Sequence, residues 1–300
     1  MADSVERPAD FAGYWEAVDR ELARLPARPV LERRPEESTN FGTVYGLRLT
    51  SSGPYRIFGF YCVPQGDGPF PAILQTPRHG SVNHVPDYND RQRYVCLQLM
   101  HRGQRLADQP FAAAYPGLLT RGIGDPATYI YRAIVADCLR AAEFLFSRPE
   151  VDPSRVAVVG DDLALITAAR RPRFAVAELA GPMFYRLAEA RATTSEYPIE
   201  EINDELRAHP DTREAVAHTL GYFDPVHHAP DVTATTILSV GGDGATSGLP
   251  WLQPLVDALG GPVEPYRLTN EGRVDQDRLD AMLATRVGVE PLSRFRRVFA

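Results

Sequence analysis

Arg155-Val156-Ala157-Val158-Val159-Gly160-Asp161-Asp162-Leu163-Ala164 is the stretch that decides the fold. The β-branched run up to Gly160 is the length of a strand buried on both faces, and a helix opens at Leu163 with no loop between. A strand that turns straight into a helix lies at the carboxyl end of a sheet, where open α/β sheets collect their chemistry. The form is G-x-D-x-A. Gly160 and Ala164 keep the two small flanks of the G-x-S-x-G nucleophile elbow, and Asp162 stands where the serine would be. Aspartate tolerates positive φ better than most side chains, so the turn survives the exchange. The same residues also describe an ordinary tight turn with a helix-capping aspartate.

Working outward, residues 129–147 carry Ile130, Ile134, Cys138, Ala142 and Leu145 at three- and four-residue steps, which predicts a helix stopped by Pro149. Short apolar runs at 55–64, 71–77, 94–99, 174–179, 235–240 and 263–268 read as strands, and 249–259 and 275–283 as helices. Strands alternating with helices predict an α/β fold: a mostly parallel sheet with helices on both faces. Residues 8–40 form an N-terminal helical extension broken by Pro26, Pro29 and Pro35. Residues 183–231 are polar and helical with no strand-like run, a helical insertion within one domain spanning 1–300.

Composition narrows the function classes. With 44% hydrophobic and 24% charged residues and a net charge of -7, the 300-residue chain reads as globular. The acidic balance argues against nucleic acid as a partner, and no apolar run approaches the length of a membrane helix. The polar N-terminus is not a secretory signal, so a cytoplasmic location is expected. All 32 basic residues are arginine, which excludes a lysine Schiff base and a pyridoxal-phosphate anchor. No cofactor is expected. Cys62, Cys96 and Cys138 lie far apart in apolar stretches and read as buried thiols. His227-His228 reads as loop structure, since adjacent histidines rarely chelate one ion, and no ligand spacing supports a metal at His79, His101, Asp162 and Glu271.

Several motifs occur in order along the chain: Phe11-Ala12-Gly13-Tyr14-Trp15, Arg102-Gly103-Gln104, and Thr120-Arg121-Gly122-Ile123-Gly124-Asp125-Pro126 with Tyr129-Ile130-Tyr131-Arg132. Ser147-Arg148-Pro149-Glu150-Val151-Asp152, Leu220-Gly221-Tyr222-Phe223-Asp224 and Ser239-Val240-Gly241 follow. On these residues the chain resembles the acetyl xylan esterase and cephalosporin C deacetylase family of α/β-hydrolases, from Asp10 to about Gly272. The resemblance implies the α/β-hydrolase fold and, because family members form hexamers, a homo-oligomer. It places Asp162 at the elbow serine and Glu271 at the histidine, and Gly244 at the acid, with Asp243 one residue short. The family's oxyanion turn corresponds to Pro77-Arg78-His79 or to His79-Gly80-Ser81, and both registers stay open. Arg102 reads as a scaffold residue, and Arg294, Arg296 and Arg297 as solvated surface or a contact with another subunit.

A Ser-His-Asp mechanism needs a hydroxyl, an imidazole and an orienting carboxylate. Its loss is therefore expected here. Three readings follow. The first makes Asp162 and Glu271 the catalytic carboxylates of a repurposed pocket with acid-base chemistry of lyase, isomerase or cyclase type. Arg78, His79, His101, Asp161 and Asp243 would bind its small-molecule substrate. The second is a catalytically dead ligand-binding or structural subunit. The third is a hydrolase with Asp162 as nucleophile, as in dehalogenases and epoxide hydrolases.

Overall fold

The structure is a computed structural model that describes residues 5–241 and 246–293. In chain order its main elements are α1 (Phe11–Arg24), β1 (Val30–Arg33), β2 (Gly42–Thr50), β3 (Arg56–Pro64), β4 (Phe70–Gln75), β5 (Val95–Met100) and α2 (Ile130–Phe146). Then come β6 (Val151–Gly160), α3 (Asp162–Arg170), β7 (Val176–Leu179), α4 (Leu187–Ala190), α5 (Glu200–Ala208) and α6 (Arg213–Gly221). The chain continues with β8 (Thr235–Val240), α7 (Leu249–Ala258), β9 (Val263–Arg267) and α8 (Gly272–Arg286).

One sheet orders the strands β1-β2-β3-β5-β4-β6-β7-β8-β9. From β5 to β9 every pairing is parallel, while β1, β2 and β3 are joined antiparallel at one side. The expected mostly parallel sheet is therefore present. The period of two along each strand divides the core. Leu74, Val156, Val158 and Ala177 face the layer that holds α1, α2 and α3, whereas Ala157, Val176 and Ile237 face Leu283 and Val287 at the end of α8. Trp15 and Val18 of α1 and Ile134, Cys138 and Leu145 of α2 are fully buried, each worth roughly 1.5–3 kcal/mol of burial. The three thiols are free and buried.

The N-terminal reading needs correction. The helix ends at Arg24, and Val30–Arg33 forms an edge strand on β2, which the sequence pattern did not reveal either. Gly42 and Gly46 dilute the β signal of that strand, and Gly46 is closely packed: a Cβ there would come within 2.9 Å of Arg34 Nε and 3.1 Å of the Phe58 ring, so both side chains would have to shift. The insertion holds α4, α5, α6 and short 3-10 turns, with no strand among its residues. His227 and His228 lie in those turns. His228 is buried against Phe11 and Trp15, and its Nε2 lies 3.0 Å from the carbonyl oxygen of Tyr222. Among the described residues no helix is long and apolar enough to cross a membrane.

Candidate active site

The turn after β6 has its glycine where the sequence places it, but not the positive φ expected of the aspartate: Asp161 is at φ -118° and Asp162 is the first residue of α3. A Cβ on Gly160 would fall onto Thr76 Oγ1, so only glycine lets β6 pass β4 into the turn. Asp161 caps α3, accepting the Leu163 N–H at 3.2 Å. Asp162, 1% exposed, accepts the Met183 N–H at 2.7 Å through one oxygen and the Phe184 N–H at 2.9 Å through the other. Burial and the adjacent Asp161 push its carboxyl well above the usual range, against the pull of those two donors. A carboxylate with both oxygens so engaged ties the elbow to the chain leaving β7.

Beside this turn lies a network of imidazoles and phenols. His79, on the loop after β4, has Nδ1 2.7 Å from the Tyr131 hydroxyl and Nε2 3.6 Å from a carboxylate oxygen of Glu201 on α5. The second Glu201 oxygen accepts the N–H groups of Gly117 at 2.8 Å and Leu119 at 3.1 Å, which fixes the carboxylate. These partners assign the tautomer: Nε2–H faces Glu201 and Nδ1 accepts from Tyr131. Burial lowers the His79 pKa while Glu201 raises it, and the net direction is down. Tyr131 opens α2 and packs on Phe184 at 4.7 Å between ring centroids, so the network borders the segment that Asp162 holds.

His101, at the end of β5, donates from Nδ1 to the Arg102 carbonyl at 2.8 Å, so its Nε2 accepts from the Tyr115 hydroxyl at 2.7 Å. The Tyr115 ring meets His79 edge-on at 5.2 Å. Burial pushes the His101 pKa down to about 4. Between 6.5 and that value the unfolded chain binds a proton that the folded chain refuses, so stability falls as the pH drops through this window. The full shift is worth about 3 kcal/mol. His101→Gln is expected to flatten this acid limb. Urea midpoints at about pH 7.5 and about pH 4.5 check it, and equal pH slopes in wild type and variant would count against it.

The expected carboxylate pair is not assembled. Glu271 is exposed at the start of α8, and no hydrogen bond or ion pair joins it to Asp162. Arg78 is exposed and acts electrostatically on Asp161 and on Glu178. Asp243 and the Arg294, Arg296 and Arg297 cluster lie outside the described residues. Tyr131, Tyr115 and Glu201 were not singled out as site residues from the sequence. Tyr131 sits within a recognised motif, but no local signal marks Glu201 in its polar helix. Arg102 is the expected scaffold residue, paired with buried Asp137 at 2.6 and 2.9 Å.

A strand that turns directly into a helix at the carboxyl edge of this mostly parallel sheet is the architecture of an α/β-hydrolase. The family model for acetyl xylan esterase matches residues 2–247, and the chain belongs to that family. Acetyl esterase Axe7A of Xylanibacter ruminicola is 25% identical over 185 residues, 56% of this chain. The match spans 42% of that relative's length. The acetyl xylan esterase of Paenibacillus sp. R4 superposes with a TM-score of 0.81 at 24% identity, over 94% of this chain and 95% of its own. Acetyl xylan esterase 1 of Thermoanaerobacterium sp. JW/SL YS485 gives 0.78 at 21% identity, over 93% and 96%. At these identities the structural likeness shows the fold.

Family membership corrects the expected function. The matches are hydrolases of acetyl esters, and nothing among them points to a lyase, isomerase or cyclase, or to an inert subunit. The repurposed pocket, the dead subunit and the Asp162 nucleophile are accordingly set aside. Physically, the repurposed pocket and the nucleophile reading both need Asp162 free to react, whereas its two oxygens accept backbone N–H groups.

Proposed function

We propose that the protein hydrolyses small carboxylic esters, acetyl esters of carbohydrates among them. Family membership supports the reaction class. The observation that carries the reading is the His79 imidazole, held between the Glu201 carboxylate and the Tyr131 hydroxyl beside the elbow. With Nε2–H directed at Glu201, the basic Nδ1 receives a proton through Tyr131 as water adds to the ester carbonyl. Glu201 then stabilises the imidazolium. The proton returns to the departing alkoxide as the C–O bond breaks, giving the alcohol and acetic acid, which then ionises to acetate in solvent. The lowered pKa of His79 keeps the base neutral and ready at neutral pH.

The test is turnover of an aryl acetate by the purified chain. His79→Ala is expected to lower kcat/KM by roughly 100-fold or more, and Glu201→Gln to lower it with the fold intact by circular dichroism. Full turnover in a folded His79→Ala variant would sink the reading.

A further inference from the structure

On the face of the sheet turned toward α8, the helix does not close against the strands along its whole length. A cavity of about 480 Å³ lies between the start of α8 and the carboxyl ends of β4, β5, β6 and β7. That is within the range of small-ligand sites, roughly 300–1,000 Å³. Its floor is a row across the sheet. Gln98 of β5 pairs in register with Gln75 of β4, Gln75 with Val159 of β6, and Val159 with Glu178 of β7. One residue pair earlier on each of those strands, the same face carries Cys96, Ile73, Ala157 and Val176, an apolar surface packed under α8. Three of the four positions in the next row are instead long and polar.

These polar groups are little engaged by hydrogen bonds within the protein. Among the described residues no hydrogen bond or ion pair takes the Gln98 amide, the Glu178 carboxyl or the Arg78 guanidinium at the rim. Gln75, which lines the cavity, is bonded only through its Nε2, to the Val159 carbonyl at 3.3 Å and at long range to the Thr76 carbonyl. Burial raises the Glu178 carboxyl to about 7. A sheet face meant only to pack a helix would carry apolar residues here, as the row before it does.

We infer that this cavity is a second binding site for a small neutral polyhydroxylated ligand of monosaccharide size. Hydroxyl groups both donate and accept, so one molecule can serve the amides, the carboxyl and the guanidinium together. A charged ligand would meet like charge on one side, because Arg78 and Arg93 share the lining with Glu178, Asp90 and Asp280. The row repeats at the strand spacing of about 4.8 Å, comparable with the separation of alternate hydroxyls on a six-membered ring. The site is on the opposite face of the sheet from α2, where Tyr131 contacts His79, so it does not depend on the esterase assignment.

Titration of the full chain with D-glucose, D-xylose and myo-inositol, followed by saturation-transfer NMR, tests the inference. At least one sugar is expected to bind saturably. Gln98→Leu should weaken it by about tenfold or more, Glu178→Gln should weaken it less, and His79→Ala should leave it unchanged. Folding of each variant is checked by circular dichroism. Absence of saturable binding with all three probes would overturn the inference. So would equal affinity in folded Gln98→Leu, or loss of binding in His79→Ala, which would place the sugar at the other site.

Discussion

Arg102→Ala is expected to remove about 3–5 kcal/mol of folding free energy, read as a lowered urea midpoint with an unchanged slope. The guanidinium meets both oxygens of Asp137, at 2.9 Å from Nε and 2.6 Å from Nη2, and Asp137 is fully buried in α2. Nη2 also reaches Ser52 Oγ at 3.1 Å and its carbonyl at 3.3 Å, and the guanidinium lies over the Tyr55 ring at 4.7 Å. The group therefore joins the turn between β2 and β3, the end of β5 and the middle of α2. Its removal strands an anion with no access to water, which costs more than the pair contributes. The double variant Arg102→Met with Asp137→Leu is therefore expected to lie within about 1 kcal/mol of wild type, since both charges leave together. Arg102→Lys keeps the charge but not the two-pronged geometry, and should fall between the single and double variants. An alanine variant within about 1 kcal/mol of wild type would mean that solvent reaches Asp137.

Much of this fold was legible because its signals are local. The β-branched run into Gly160 and the apolar stripe of α2 each state their structure within a dozen residues, and both stand at the expected place. Strand β2 was not legible, because Gly42 answers the Arg91 carbonyl and Gly46 answers Arg34 and Phe58, contacts visible only after folding. The candidate site divides in the same way. Asp162 could be found from the elbow pattern, but its partners Met183 and Phe184 lie 21 and 22 residues away, so its engagement was invisible. Pairing it with Glu271 rested on counting along an alignment, and counting does not bring two side chains together. Glu201 lies 122 residues from His79 (201 minus 79), in a helix whose composition suggests a solvated face. Arg102 could be read as scaffold, while its partner Asp137 waited for the packing of α2.

Asp162→Ala measures how far the elbow carboxyl holds the fold. Two effects oppose each other. Removing the side chain leaves the N–H groups of Met183 and Phe184 without acceptors, at about 1–3 kcal/mol each. It also relieves a buried carboxyl beside Asp161, and that relief depends on pH. Asp162 has its pKa raised in the folded state, so the folded chain keeps a proton that the unfolded chain releases above about 3.8. The stabilising contribution of its protonated form is complete below that value and is lost as the pH rises toward the folded pKa. Relief at neutral pH is at most about 4 kcal/mol, the cost of protonating an ordinary carboxylate there. At about pH 4.5 little relief remains, and the variant should be less stable by about 2–5 kcal/mol. At about pH 7.5 the deficit should shrink by a measurable fraction. Asp162→Asn keeps one acceptor and sets an amide donor against an N–H, so it should lose less than alanine and show a similar trend with pH. Urea titrations of the three proteins at both pH values supply the numbers. A stability that rises at about pH 4.5 on removing Asp162 would mean that its two backbone N–H bonds do not hold the turn in place.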